Sequence, residues 1–305
     1  MSFRLSPVLA ASLFVLAPVL AVAQPLTFER SLTVGATPSL DASADSGNIT
    51  VRAGTGSAIL VKGTVEVRKG WNAPANAADL AKQVAANPPI TQAGDAVKVG
   101  RIADEATRKA VSVSYDITVP AATMVAASSG SGNVTVSGVN NAVKANSGSG
   151  NIDVSGIGGD VDARTGSGNV SVKDARKAAS LSSGSGNIVA ILTGQGDVKA
   201  STGSGDIKLT GVVGLLSANT GSGSIGVEGK PTGDWKLSAA SGDVQVVVPG
   251  DQGFTRDAST ASGSLDVTAP LTVQGKIDRR RVQGTVRGGG PTLRLSTASG
   301  DIAVR

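Results

Sequence analysis

A chain of 305 residues with 28 Lys and Arg against 23 Asp and Glu carries a formal net charge of +5, with no His and no Cys. Without imidazole or thiol, Ser-His-Asp and Cys-His catalysis and zinc or copper centres on those ligands are excluded, and so are disulfides, which leaves stability to packing and hydrogen bonds. Aromatics make up only 2% of the chain, and no dense basic stripe interleaves with rings, so a nucleic-acid groove is not expected.

Residues 1–23 read as a signal peptide. Arg4 gives a basic start, "SPVLAASLFVLAPVLAVA" an apolar run, and Ala21-Val22-Ala23 the small-x-small pattern that places cleavage before Gln24. A membrane anchor is the alternative, but the run is short and holds Pro7 and Pro18. No Cys stands there to take a lipid, and no later stretch is apolar enough to span a bilayer. The expectation is an exported, soluble protein of the periplasm or cell surface.

Residues 24–70 read as N-terminal strands with a first coil around "SADSGNITV". Between Gly70 and Val111 the alternation stops. "PANAADLAKQVAAN" puts Ala77, Leu80, Ala81 and Val84 on one helical face, with Pro74 near its start and Asn87-Pro88-Pro89 beyond its end. Strand-like "DAVKVGR" and "AVSVSYDITVP" follow. Residues 71–110 are therefore expected to be an insertion with a short helix that caps the open N-terminal end of the next segment; a ligand lid is the alternative.

From 111 to 305 one corner recurs: "SSGSGNVTV", "NSGSGNIDV", "RTGSGNVSV", "SSGSGNIVA" and "STGSGDIKL". Its closing glycines from Gly132 to Gly242 are 18, 18, 18, 19, 18 and 19 residues apart, the mark of a solenoid. Gly47 is an isolated earlier copy. Gly263 and Gly300 read as two worn coils with an irregular stretch, about 268–292, between them. Apolar residues fall two and four positions after each glycine (Ile152 and Val154, for example) and five and seven before it (Ala145 and Val143). Arg256 is the exception at the outermost of these positions. Such alternation is a half-buried strand on each side of the corner. A single coil buries too little to stand alone, so coils must stack at the ~4.8 Å strand spacing into a rod of about 45–50 Å.

The expected fold is all-β: a parallel β-solenoid, right-handed by the usual crossover rule, with a coil of about 18 residues. Val139, Ile157, Ala175 and Val212 suggest a short third inward position, leaving two- and three-sided coils open. Glycine at the corner is expected for positive φ and for space where coils meet. The serine just before it should satisfy bent backbone. The next residue is expected to form an amide ladder between coils. The corner ladder is thus Gly132 and Asn133, Gly150 and Asn151, Gly168 and Asn169, Gly186 and Asn187, Gly205 and Asp206. Arg279, Arg280, Arg281 and Arg287 make the one dense basic patch, either a grip for an anionic partner or outward charges guarding the C-terminal end.

The repeated "SGSGN" corner, the front section "LTVGATPSLDASADSGNITVRAG" and the tail "SGSLDVTAPLTVQGKIDRRRVQGTVRGGGPTLRLSTASGDIAV" resemble the bacterial putative-adhesin β-strand-repeat proteins, relatives of the GIN-type head domain. The resemblance implies a parallel β-helix in an exported or envelope protein, with no catalytic residues to carry over. The expected function is non-enzymatic: an envelope or surface adhesin, binding or scaffold protein. Its partner would be an envelope protein or a polysaccharide; no cofactor, metal or nucleic acid is expected, and a monomer is the default. Alternatives are a polysaccharide lyase or hydrolase on the same fold and an accessory factor in envelope stress signalling. Calcium is disfavoured because neutral Asn fills the corner slot in five of ten copies.

Overall fold

The computed structural model describes residues 26–68, 74–267, 271–273 and 280–305. Residues 1–23, read above as a signal peptide, and Arg279 lie outside the described residues. So do parts of the insertion around Trp71 and of the irregular C-terminal stretch. The described residues form one sheet of 25 strands, mostly parallel, and two helices, α1 (Ala77–Ala86) and α2 (Glu105–Ala110).

Each corner joins two strands, and like strands of successive coils pair in parallel. Before the corner, Val143 sits beside Val161, Val161 beside Ala179, and Ala179 beside Val198. After it, Ile152 sits beside Val170, Val170 beside Ile188, and Ile188 beside Ile207. Register fixes facing: a one-residue slip would turn every Val and Ile outward, so the alternating pattern selects this pairing. Ile152, Val154, Ala145, Val143 and their counterparts from Gly132 to Gly242 are at most 3% exposed. Burying each Val or Ile is worth about 1.5–3 kcal/mol. A third inward row exists: Val139, Ile157, Ala175 and Val212 are buried, and the strand Ile152–Ile157 runs on to pair Ile157 with Ala175.

Both ends depart from simple stacking. The coil of Gly47 lies directly against that of Gly132, with Leu40 beside Val125 and Ile49 beside Val134. Beneath it Ala96–Val99 and Val111–Pro120 pair in parallel with the same two strands, as another coil would. In that coil α2 turns the corner. Asp104 caps it, its Oδ2 accepting from the Thr107 N–H at 2.7 Å and the Thr107 hydroxyl at 2.6 Å. Antiparallel strands Ala58–Val67 and Leu26–Thr33 then close one face. α1 packs there through buried Ala77, Ala81 and Val84, while Leu80 is only half-buried.

At the C-terminal end, space does not follow sequence. Thr292–Ser299 pairs with Ile225–Ser241 on one side and Phe254–Ser262 on the other. Likewise Ile302–Val304 lies between Val244–Val247 and Leu265–Val267. The stacking order of corners is therefore Gly242, Gly300, Gly263. Reading two worn coils in chain order needs this correction. Arg281–Val286 then pairs antiparallel with Phe254–Ser262 and with Leu271–Val273. Arg256, in the inward register, is 2% exposed; its Nε and Nη2 have no hydrogen-bond partner, and burial pushes its pKa down.

Candidate functional site

The corner is a hydrogen-bonded column with two side-chain rows. In the outer row the side chain accepts from the backbone of the next coil. Asn133 Oδ1 takes the Asn151 N–H, Asn151 Oδ1 that of Asn169, and Asn169 Oδ1 that of Asn187, each at 2.8 Å. Asn187 continues to Asp206 and Asp206 to Ser224, both at 2.8 Å. Only an oxygen at this position is used. Asn and Asp therefore interchange along one column, unlike a ladder of amide-to-amide bonds.

The inner row was not legible as such. The residue three before the glycine, not the serine next to it, bridges two coils. Ser147 Oγ donates to the Gly132 carbonyl at 2.9 Å and accepts from the Gly150 N–H at 2.8 Å. Ser183 makes the same two bonds between Gly168 and Gly186, both at 2.8 Å. Ser129, Ser147, Thr165, Ser183, Thr202 and Thr220 are all buried, whereas Ser131 and Ser149 are exposed. The signal was present: eight of ten corners carry Ser or Thr there, Ala44 and Ala239 being the exceptions.

Glycine is required at the column by close approach. A Cβ at Gly150 would stand 2.2 Å from the Gly132 carbonyl oxygen, inside any allowed contact. Gly132, Gly150, Gly168, Gly186 and Gly205 do not have positive φ; it occurs at four other corners, Gly223 (150°), Gly242 (138°), Gly263 (157°) and Gly300 (154°), and at turns such as Gly138 (74°) and Gly156 (65°). The expectation of left-handed backbone at these five corners is corrected accordingly.

The arginines do not form one cluster. Arg280 is exposed, Arg281 pairs with Asp257 at 3.2 Å, and Arg287 donates to the Gln252 carbonyl at 3.2 Å. Arg281 and Arg287 flank the strand Arg281–Val286, about 20 Å apart at the usual rise per residue.

No convergent set of reactive groups is found among the described residues. No cluster of three or more Asp and Glu could hold a metal ion there. A narrow depression beside α2 is lined by Asp45, Arg101 and Tyr115. Burial first, then the charge of Asp45, pushes the Tyr115 phenol well above its ordinary value, so it stays protonated. Trp235, read as inward from its register, is fully buried and donates Nε1 to the Gly214 carbonyl at 3.0 Å. No helix of the described residues is long and apolar enough to cross a membrane.

What remains open to solvent are two long sheet faces, before and after the corners. The Toastrack DUF4097 family, of unknown function, matches residues 29–206 and again 194–305. The chain belongs to this family. Among curated proteins none matches it. Two solved structures are similar over most of their length. One is described as "a putative adhesin" from Bacteroides fragilis NCTC 9343: 12% identical, covering 92% of this chain and 97% of that one, TM-score 0.44. The other is "a putative cell adhesion protein" from Clostridium sporogenes ATCC 15579: 10% identical, covering 92% and 99%, TM-score 0.28. This Toastrack chain thus turns its repeat into two continuous faces held in register by the corner column.

Proposed function

We propose that this Toastrack protein is an exported, non-enzymatic binding or scaffold protein of the cell envelope. The observation that carries the reading is the pair of flat outward faces, each with one rung of ordered side chains per coil. Shallow faces of this kind suit an extended partner, whereas small-molecule catalysis favours a concave pocket with converging groups. The signal-like first 23 residues support export and release into the periplasm or onto the surface. In this reading residues 71–110 act as the cap of a right-handed solenoid, and the Gly-Asn corner column is a structural device.

The test joins location and retention. Fractionation of cells expressing the tagged full chain should place it outside the cytoplasm. The purified chain should be retained on isolated envelope fragments without releasing products from them. Cytoplasmic residence, or turnover of an envelope polymer that a point change abolishes without altering melting, would overturn the reading.

A further inference from the structure

The face built by the strands before the corners changes character along its length. Near its middle, Asp162 is held by Arg164 at 2.8 Å; toward the C-terminal end, Asp257 is held by Arg281 at 3.2 Å. Between those two rungs lie five whose paired positions carry no carboxylate; the nearest carboxylates, Asp197 and Asp234, sit at the strip's edge, engaged by the Leu215 N–H at 3.2 Å and the Thr292 N–H at 2.8 Å. The first row of the five rungs holds Lys199, Lys236 and Arg294, all exposed and without an ion-pair or hydrogen-bond partner among the described residues. The second row holds only small polar groups, such as Ser201, Asn219 and Ser238.

Lys199 and Lys236 are two strands apart, about 10 Å, and Arg294 lies one strand further. Two shallow depressions lie along the stack and share Asn219, one lined by Arg164 and Lys199 and the other by Ser238, Ser259 and Ser296, while Lys236 and Arg294 stand outside both. Of the exposed large apolar side chains, Val189, Ile191 and Val247 lie on the other face, and Leu215 alone borders the strip, beside Asp197 and Gly233.

We propose that this strip binds a linear anionic polysaccharide laid along the stacking axis. The assignment rests on the binding reading above and names its partner. Sugar carboxylates meet Lys199, Lys236 and Arg294; sugar hydroxyls meet the Ser and Asn row. An extended pyranose spans close to one strand spacing, so a polymer charged on alternate sugars repeats in step with Lys199 and Lys236. Nucleic acid fits poorly. Duplex DNA carries a charge every ~1.7 Å and single strands want stacking rings, but the strip has three cations and no aromatic. A lipid surface fits poorly too, since a single bordering leucine, Leu215, offers too little apolar area to enter it.

The test uses the full chain, hyaluronan and polygalacturonate as charged probes, dextran as the neutral one, and anionic vesicles. The triple variant Lys199→Ser, Lys236→Ser, Arg294→Ser is compared with the charge-matched Lys173→Ser, Lys208→Ser, Arg305→Ser on the opposite face, both checked for unchanged melting. The single Lys236→Ser serves if a triple fails to fold. Wild type should bind at least one charged polymer, more weakly as salt rises from about 0.05 to about 0.5 M. The first triple should lose at least about tenfold in affinity and the second less than about twofold.

Binding to neither charged polymer, equal binding to dextran, equal loss in both triples, or preference for vesicles would each overturn the proposal. Envelope fragments separate it from the broader reading. Fragments held equally by wild type and the first triple would sink the polysaccharide alone, and fragments not held by wild type would sink both.

Discussion

Ser147 and Ser149 stand two residues apart in one corner and do different work. Ser147→Ala would strand a buried carbonyl on Gly132 and a buried N–H on Gly150, at about 2–3 kcal/mol. Ser149→Ala, at an exposed site, should cost less than about 0.5 kcal/mol in the same urea titration. Glycines divide in a similar way. Gly150→Ala drives a methyl into backbone and should cost about 3 kcal/mol or more. At Gly156, with φ 65° but nothing nearer than 3.6 Å, alanine meets only the left-handed penalty of about 1–2 kcal/mol.

Asp301 adds a pH dependence. Its carboxylate accepts from the Ser264 N–H at 2.7 Å, and chiefly that bond holds its pKa below the usual carboxylate range. A lowered folded pKa means its stabilisation is present above the unfolded value and is lost as pH falls through the folded one. Asp301→Asn keeps the acceptor without the titration, so melting should fall less between about pH 5 and about pH 2 than in wild type. Equal falls would contradict that account. The oxygen at this position could be read from the sequence. Which backbone group it serves could not, because that depends on where the next coil sits.

Among the elements, the strands were the most legible. Period-two alternation of Val, Ile and Ala around a fixed glycine leaves one register that buries them all, and the observed pairing has it. The helix over Ala77–Ala86 was legible through its apolar face. The α2 corner was not: "DEATRKA" is too short for a helical stripe to emerge, and its anchor is the Asp104 cap. Arg256 was visible as an exception but not as a buried, under-bonded cation. Burying a cation without a full set of hydrogen bonds is costly, and the one carboxylate acting on it, Asp266, is exposed and stays hydrated when the guanidinium is removed. Arg256→Leu should therefore hold or raise the melting temperature; a clear drop would mean that the guanidinium is better satisfied than its bonds indicate.

For the molecule as a whole, the glycine spacing disclosed a stack but not its order. Alternation tells a strand which face to bury and nothing about which neighbour to choose, so the inversion of Gly300 and Gly263 left no trace in the pattern. Removing residues 292–305 takes a coil out of the stack rather than off its end. Both unfolding cooperativity and the protection of Phe254–Ser262 from hydrogen exchange should fall, whereas unchanged protection of Phe254–Ser262 would contradict this packing.

Biosynthesis meets that inversion directly. Gly263 leaves the ribosome 37 residues before Gly300, the corner on which its coil rests. Until the final strand arrives, the growing rod has a gap one layer deep, and everything beyond it is provisional. Residues 292–305 thus act as a latch: whatever delays or removes them, a stalled ribosome or a protease, holds that end of the stack ajar.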